Sequence, residues 1–178
     1  MRRDHNDVEA LRARVESLAD RPALIRDRHL TVLASNTMAR ALSPGFDEGV
    51  NLARYAFIDA VDHAGDAGWY ESTSQIAAML RDSLDIHRDD APFRRIVGEL
   101  SARSPQFSVA WADEAAPARQ GEVTFVDTAV GDLTLVYREE WLDDTQAEAI
   151  MLLSGVDAAS ETKLDALASI LAGRRPSE

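Results

Sequence analysis

The sequence predicts an α+β domain: one five-stranded antiparallel sheet with helices packed on one face. Three observations lead to this reading. Two short apolar runs near the start, Ala23-Leu24-Ile25 and Leu30-Thr31-Val32-Leu33-Ala34, read as strands, and the polar break Arg26-Asp27-Arg28-His29 between them suits a tight turn. A middle third with apolar residues at helical spacing follows. Three more strand-like runs then come late in the chain. Such an order fits one sheet with its helices on one side, and a hollow between the two layers is where this kind of fold holds a ligand.

Residues 7 to 19 form a short amphipathic helix, with Val8, Leu11, Val15 and Leu18 at 3-4-3 spacing. Two heptads are too few for an independent coiled coil, so the stripe packs either on the domain or on a second copy. Residues 1–21 are accordingly read as a linker or dimer helix, 22–172 as the domain and 173–178 as a frayed tail. After Asn36, the residues Met38, Ala39 and Leu42 start a short helix that stops at Pro44-Gly45. Residues 51–57 make a further helical or turn segment. Gly65 and Gly68 interrupt the chain before a helix from Trp69 to about Leu84, whose apolar side carries Ile76, Met79 and Leu80.

Asp89-Asp90-Ala91-Pro92 is a loop and cap, and Phe93, Ile96, Val97 and Leu100 then lie on one stripe of the next helix. Ser104 reads as an N-cap and Pro105 as the first residue of another helix, where a missing N–H costs nothing. Phe107 and Trp111, four apart, share one face of it. Pro117 to Gly121 is a turn, Glu122 to Val126 a strand, Val130-Gly131-Asp132 a turn and Leu133 to Tyr137 a second strand. Ala149 to Leu153 is apolar on both faces, which marks a central strand. Ser160 is expected to cap a last helix through Leu164, Leu167, Ile170 and Leu171.

Composition narrows the function classes. At 178 residues the chain is one domain large enough for a real core, and 46% hydrophobic with 28% charged residues is ordinary for a soluble globular protein. Without Cys there are no disulfides, thiolate metal sites or Cys nucleophile. The N-terminus lacks the apolar run of a signal peptide and no stretch approaches a membrane span, so a cytoplasmic protein with no membrane association is expected. The net charge of −12, with Arg residues and the single Lys163 scattered among acids, argues against direct nucleic-acid binding. The stretch Glu139 to Glu148 holds acids and no base, and reads as a solvated loop.

An enzyme reading finds little to hold. His5, His29, His63 and His87 are isolated in sequence, with no partner at i+4 for a helical metal pair. Asp62-His63, and His87 near Asp89-Asp90, come closest to an acid–base set and read as surface polar clusters. No nucleophile elbow, phosphate-cradling loop or dinucleotide fingerprint is present. No catalytic residue, metal ligand or cofactor is expected. The candidate ligand-lining residues are Phe57, Trp69, Leu80, Phe107, Trp111, Phe125 and Tyr137. Asn36, at a strand end, either fixes a polar ligand group or caps a helix. Arg81 either meets a ligand carboxylate with both guanidinium nitrogens or makes an ordinary salt bridge.

Five stretches, taken in order, carry a resemblance to one family. They are Leu33-Ala34-Ser35-Asn36 with Ala39 and Leu42; Asn51 to Phe57; Trp69 with Ala78-Met79-Leu80-Arg81; Val97-Gly98-Glu99-Leu100 through Ser104-Pro105-Gln106-Phe107 to Trp111; and Gly121 with Val130 to Tyr137. Over roughly residues 22 to 155 the chain resembles the MmyB-like ligand-binding domain, the PAS-like C-terminal half of a group of bacterial XRE-type transcription regulators. The resemblance implies a cytoplasmic, non-catalytic sensor, expected as a homodimer, that binds a small or lipid-like molecule. It would pass that signal to a helix-turn-helix module expected before residue 1. The alternative is a stand-alone PAS-like protein-interaction domain without a ligand. The chain departs from the family pattern at Asp127-Thr128, where a His-Pro pair is usual; at Asp113-Glu114, where a His often follows the Trp; and at Asp59-Ala60, where Asp-Pro is usual. Any ligand chemistry of those His residues lacks its donors here.

Overall fold

The computed structural model describes residues 5–60, 68–87, 90–114 and 119–173. Asp62, His63, Gly65, Asp89, Pro117 and the tail after Gly173 lie outside them.

Five antiparallel strands form one sheet: β1 (Ala23–Asp27), β2 (Val32–Ser35), β3 (Gln120–Phe125), β4 (Leu133–Trp141) and β5 (Glu148–Gly155), in the spatial order β2-β1-β5-β4-β3. The doubly apolar run 149–153 is therefore the central strand, as its composition requires. Among the described residues seven α-helices complete the fold: α1 (His5–Glu16), α2 (Thr37–Leu42), α3 (Leu52–Arg54), α4 (Trp69–Ile86), α5 (Ala91–Arg103), α6 (Pro105–Ala112) and α7 (Ala158–Gly173). A 3-10 turn over Pro44–Phe46 follows α2, and a π-helical turn over Tyr55–Asp59 extends α3. The α+β class and the five-stranded antiparallel sheet are those expected from the sequence.

Alternation along the strands separates two apolar faces. Leu24, Leu135, Met151 and Leu153 point toward Leu80, Phe93, Leu100, Phe107 and Leu167 of the helices, and this is the main core. Ala23, Ile25 and Ile150 point the other way, and α1 covers them with Leu11 and Val15, joined by Leu18 just after the helix. Of the two alternatives for α1, the structure takes intramolecular packing: Val15 is fully buried against its own sheet, while Glu9, Arg14 and Glu16 face outward.

The helical middle follows its sequence signals closely. Ser104 ends α5 and caps α6, its Oγ accepting the Phe107 N–H at 3.2 Å, with Pro105 as first helical residue. The Phe107 and Trp111 rings lie 5.3 Å apart on the shared face, and Phe57 meets Phe107 edge-on at 5.1 Å. At the other end, α7 is capped by Asp157 rather than Ser160. The Asp157 carboxylate accepts the Ser160 N–H at 2.7 Å, and Ser160 itself is buried in the first turn.

The acidic stretch is where sequence reading misplaces structure most. Glu139, expected in a solvated loop, belongs to β4, and Arg26, expected in a turn, belongs to β1. Both side chains are almost fully buried and form a bidentate ion pair, Arg26 Nε to Glu139 Oε1 at 2.8 Å and Nη2 to Oε2. Ala149 of β5 pairs with both Arg26 and Trp141, and its methyl leaves room above it. The guanidinium occupies that room, 4.8 Å from the Trp141 ring centroid. Each charge reads as solvent-facing by itself, because its partner lies 113 residues away.

Two stability measurements follow. Phe107→Ala is expected to cost about 3–5 kcal/mol in urea unfolding, because the ring is wholly buried between α4, α6 and the π turn. Arg26→Met and Glu139→Leu alone are each expected to cost about 3–5 kcal/mol by stranding the other charge, whereas the double variant recovers most of that loss. Equal losses in single and double variants would show that the pair is not coupled.

Candidate functional site

The sheet and the helical middle do not close fully on one another. Between α4, β3 and the turn Pro44–Phe46 lies a cavity of about 270 Å³, with a smaller chamber of about 60 Å³ reaching the sheet. Phe46, Leu52, Ser72, Ile76 and Val123 border both parts, so the two adjoin. The main part falls just below the range of ligand sites, about 300 to 1,000 Å³.

Local backbone features put its walls in place. Ser43 Oγ accepts the Gly45 N–H at 3.1 Å and fixes the turn that carries Phe46. Gly45 is required there, because a Cβ would stand 2.5 Å from Tyr55 Cδ1. The π-helical turn brings Tyr55 and Ala56 to the outer part, where Trp69 and Phe125 also stand. Phe46 meets Phe125 edge-on at 5.8 Å. Toward the sheet, the small chamber ends on Tyr137, Met151 and Leu153. Gly121, opposite Tyr137 in the register, lets Gln75 lie across β3, since a Cβ would meet Gln75 Nε2 at 2.6 Å.

Among the described residues no charged side chain lines either part. Most of the polar groups present already have internal partners. The Thr73 hydroxyl donates to the Trp69 and Tyr70 carbonyls, Thr124 pairs with Thr134 at 3.0 Å, and Gln75 Nε2 donates to the Glu122 carbonyl at 3.1 Å. Burial, with the nearby charge of Glu139, pushes the Tyr137 phenol well above its ordinary range. It is therefore a neutral hydroxyl at physiological pH.

Of the nine residues expected to line a ligand site, Trp69, Phe125 and Tyr137 do border the cavity. Phe57, Leu80 and Phe107 are buried in the main core, and Trp111 packs partly buried against Phe107. Arg81 donates to the Trp111 carbonyl at 2.6 Å and the Asp113 carbonyl at 2.8 Å, so its guanidinium closes the C-terminal end of α6. Asn36 is buried away from the cavity, and both ends of its amide are occupied. Its Oδ1 accepts the N–H of Ala39, as an N-cap, and of Ala23. Its Nδ2 lies within 3.0 Å of the Leu18 and Arg21 carbonyls and 3.4 Å of that of Val15. Sequence reasoning missed Phe46, Leu52, Tyr55, Gln75, Met79 and Met151 as cavity residues. The Pro44-Gly45 turn before Phe46 was the available signal.

Two other polar clusters fit less well as functional sites. A groove of about 580 Å³ beside α1 is lined by Arg12, Arg40, Glu9, Glu16 and Glu48, but Arg12 holds Glu48 at 3.0 Å and Arg40 holds Glu16 at 3.2 Å. His29, isolated in sequence, sits between two carboxylates: Nε2 is 3.0 Å from Asp90 Oδ2 and Nδ1 is 3.8 Å from Asp27 Oδ2. Arg28 also holds Asp90 at 2.8 Å. Among the described residues no nucleophile joins these groups, and the cluster latches the β1–β2 hairpin to the start of α5. His87 bonds the Gln146 carbonyl at 3.0 Å rather than a carboxylate.

The latch has a pH signature. The Asp27 carboxylate beside the ring raises the His29 pKa above its ordinary value, outweighing burial, and Asp90 adds to it. Burial alone would raise the Asp27 pKa, but the bonds from His29 and Thr31 outweigh it and lower it. The imidazolium therefore contributes stability that is fully present below pH 6.5 and lost as pH rises through its folded pKa. His29→Gln is expected to reduce melting temperature more at pH 5.5 than at pH 8.5. A pH-independent difference would remove the latch as an ionic device.

No curated protein matches the chain. The family model for the MmyB-like transcription regulator ligand binding domain matches residues 8–169, from α1 to α7, and the chain belongs to that family.

Proposed function

We propose that this is a non-catalytic, cytoplasmic sensor domain of a bacterial transcription regulator, and that its ligand occupies the cavity between α4, β3 and the Pro44–Phe46 turn. The observation that carries the reading is that cavity: an apolar hollow between sheet and helices in a domain whose family is named for ligand binding. DNA contact is assigned to a separate helix-turn-helix module, in keeping with a net charge of −12 on this chain. No helix among the described residues is long and apolar enough to cross a membrane. Within this reading the domain works as a homodimer, with its contact outside the apolar stripe of α1, which its own sheet takes up.

The route by which a ligand would be felt runs through α2. Leu42 and Phe46, at and just after its C-terminal end, border the cavity, and Asn36 caps its N-terminal end. The same Asn36 amide holds the Leu18 and Arg21 carbonyls in the segment after α1 and lies 3.4 Å from the Val15 carbonyl within it. A ligand that displaces the Leu42–Phe46 segment tilts α2 and, through Asn36, shifts α1. It biases the regulator only to the extent that it binds one arrangement better than the other.

Native mass spectrometry of the purified protein is expected to show a retained small molecule, and Ile76→Trp, which fills the cavity, is expected to lose it while remaining folded. A wild-type protein with no retained molecule and no thermal response to a small-molecule panel would overturn the reading in favour of a ligand-free interaction domain. Asn36→Ala is expected to cost about 0.5–2 kcal/mol and to lower amide-exchange protection of α1 selectively, with ligand affinity unchanged. Uniform loss of protection would remove Asn36 as the coupling point.

A further inference from the structure

We infer that the turn between β1 and β2 is a proton-controlled element: protonated His29, clasped between Asp27 and Asp90, holds in place the Asn51–Leu52 segment that walls the cavity. The coupling itself stands on the hairpin and its clasp. Only its consequence for ligand binding rests on the cavity being the ligand site.

The clasp needs a charged ring. His29 Nε2 lies 3.0 Å from Asp90 Oδ2, and Nδ1 lies 3.8 Å from Asp27 Oδ2. An imidazolium carries an N–H on each nitrogen and meets both carboxylates. A neutral ring carries only one and turns a lone pair toward the other acid. The described charged groups gathered around the ring are Asp27 at the end of β1, Arg28 in the turn and Asp90 at the start of α5. Phe93 of α5 packs on the ring at 4.7 Å. Asp90 stands at the N-cap position of α5, yet its carboxylate makes no cap bond and holds Arg28 and His29 instead. Loss of the ring proton removes one of its two cations and leaves the amides of the α5 first turn to compete for it. The Asp27 carboxylate raises the His29 pKa, which moves this change toward neutral pH.

The turn transmits the state of the clasp because it is strained and shared. Leu30, next to His29, is fully buried with φ +66°, a left-handed conformation that a bulky side chain keeps only when its surroundings hold it there. The holding groups flank it. Asp27 Oδ1 accepts the N–H of His29 at 2.9 Å and of Thr31 at 2.8 Å, and the Ser83 hydroxyl of α4 donates to the Arg28 carbonyl at 2.6 Å. The same turn carries residues 51 and 52. Asn51 Nδ2 donates to the His29 carbonyl at 2.6 Å, and the Leu52 N–H donates to the Leu30 carbonyl at 2.8 Å. Asn51 also caps α3 by accepting the Arg54 N–H at 3.1 Å, and Leu52 borders both parts of the cavity. A turn released from the clasp is free to relax at Leu30, and the two carbonyls that move with it are those that fix Asn51 and Leu52. Acid therefore tightens this wall and alkali loosens it.

Amide exchange in the full chain, followed by NMR at pH 5.5 and pH 8.5 and corrected for intrinsic rates, tests the coupling. The reporters are the bonded amides of Leu30, Val32 and Leu52, with Leu153 of the central strand as reference. Protection of the first three is expected to fall by about threefold or more at the higher pH, against a smaller change at Leu153. His29→Gln is expected to remove the pH-dependent part at those three amides, and His87→Gln to keep it. Should His29→Gln fail to fold, Asp90→Asn takes its place, with a lower His29 pKa in the ring titration and a smaller pH response. An equal change at Leu153, or none at the three amides, would overturn the coupling, while native mass spectrometry reports separately on the cavity. A local response in a protein that retains no small molecule would keep the coupling and remove only the ligand site.

Discussion

Strand β5 carries Met151 and Leu153 toward the helices and Ile150 and Leu152 away from them. A sheet built around such a strand has two faces to keep from water, and burial of both is worth far more than any single polar contact in the molecule. The helices α4 to α7 cover one face. The other needs a cover over β1 and β5, and α1 is the segment with an apolar stripe to supply it. The N-terminal helix is thus a structural layer of the domain. Any movement of this helix begins from a position already packed on the domain's own sheet.

The main core face carries a second constraint. It contains a full ion pair, Arg26 with Glu139, within two residues of Tyr137, which ends the inner chamber. The two charges satisfy each other bidentately, so neither is free to pair with a group in the neighbouring hollow. Tyr137 stays a neutral phenol, and no charged side chain among the described residues borders the chamber. The same principle of mutual satisfaction governs Asn36, whose amide serves backbone groups of α1, β1 and α2 at once. Buried polar groups here join elements to one another and keep charge away from the cavity.

Much of the architecture was legible in the chain. The stripe Phe93, Ile96, Val97 and Leu100, the Ser104-Pro105 start and the Phe107–Trp111 face all appear where spacing put them, because each signal lies within one or two helical turns. The doubly apolar 149–153 run is central, because a strand buried on both sides cannot be an edge. The candidate site was legible only in part. Trp69, Phe125 and Tyr137 border the cavity, but Phe57, Leu80, Phe107 and Trp111 are equally apolar and pack into core instead. Nothing local distinguishes an aromatic that fills a core from one that walls a hollow.

By itself the sequence determined the α+β class, the order and approximate bounds of the elements and the membership of the family. These depend on periodicity, caps and turn residues within a few positions of one another. Tertiary structure alone decided that α1 turns its stripe to its own sheet, that Glu139 leaves the acidic run to meet Arg26, that His29 falls between Asp27 and Asp90, and that Arg81 and Asn36 serve backbone groups. Each of these joins residues far apart in the chain, and a hydrogen bond or ion pair has no periodicity to betray it. The cavity is of the same kind: it exists where side chains from α2, α4, β3 and β4 fail to meet, and no residue carries that absence in its own identity.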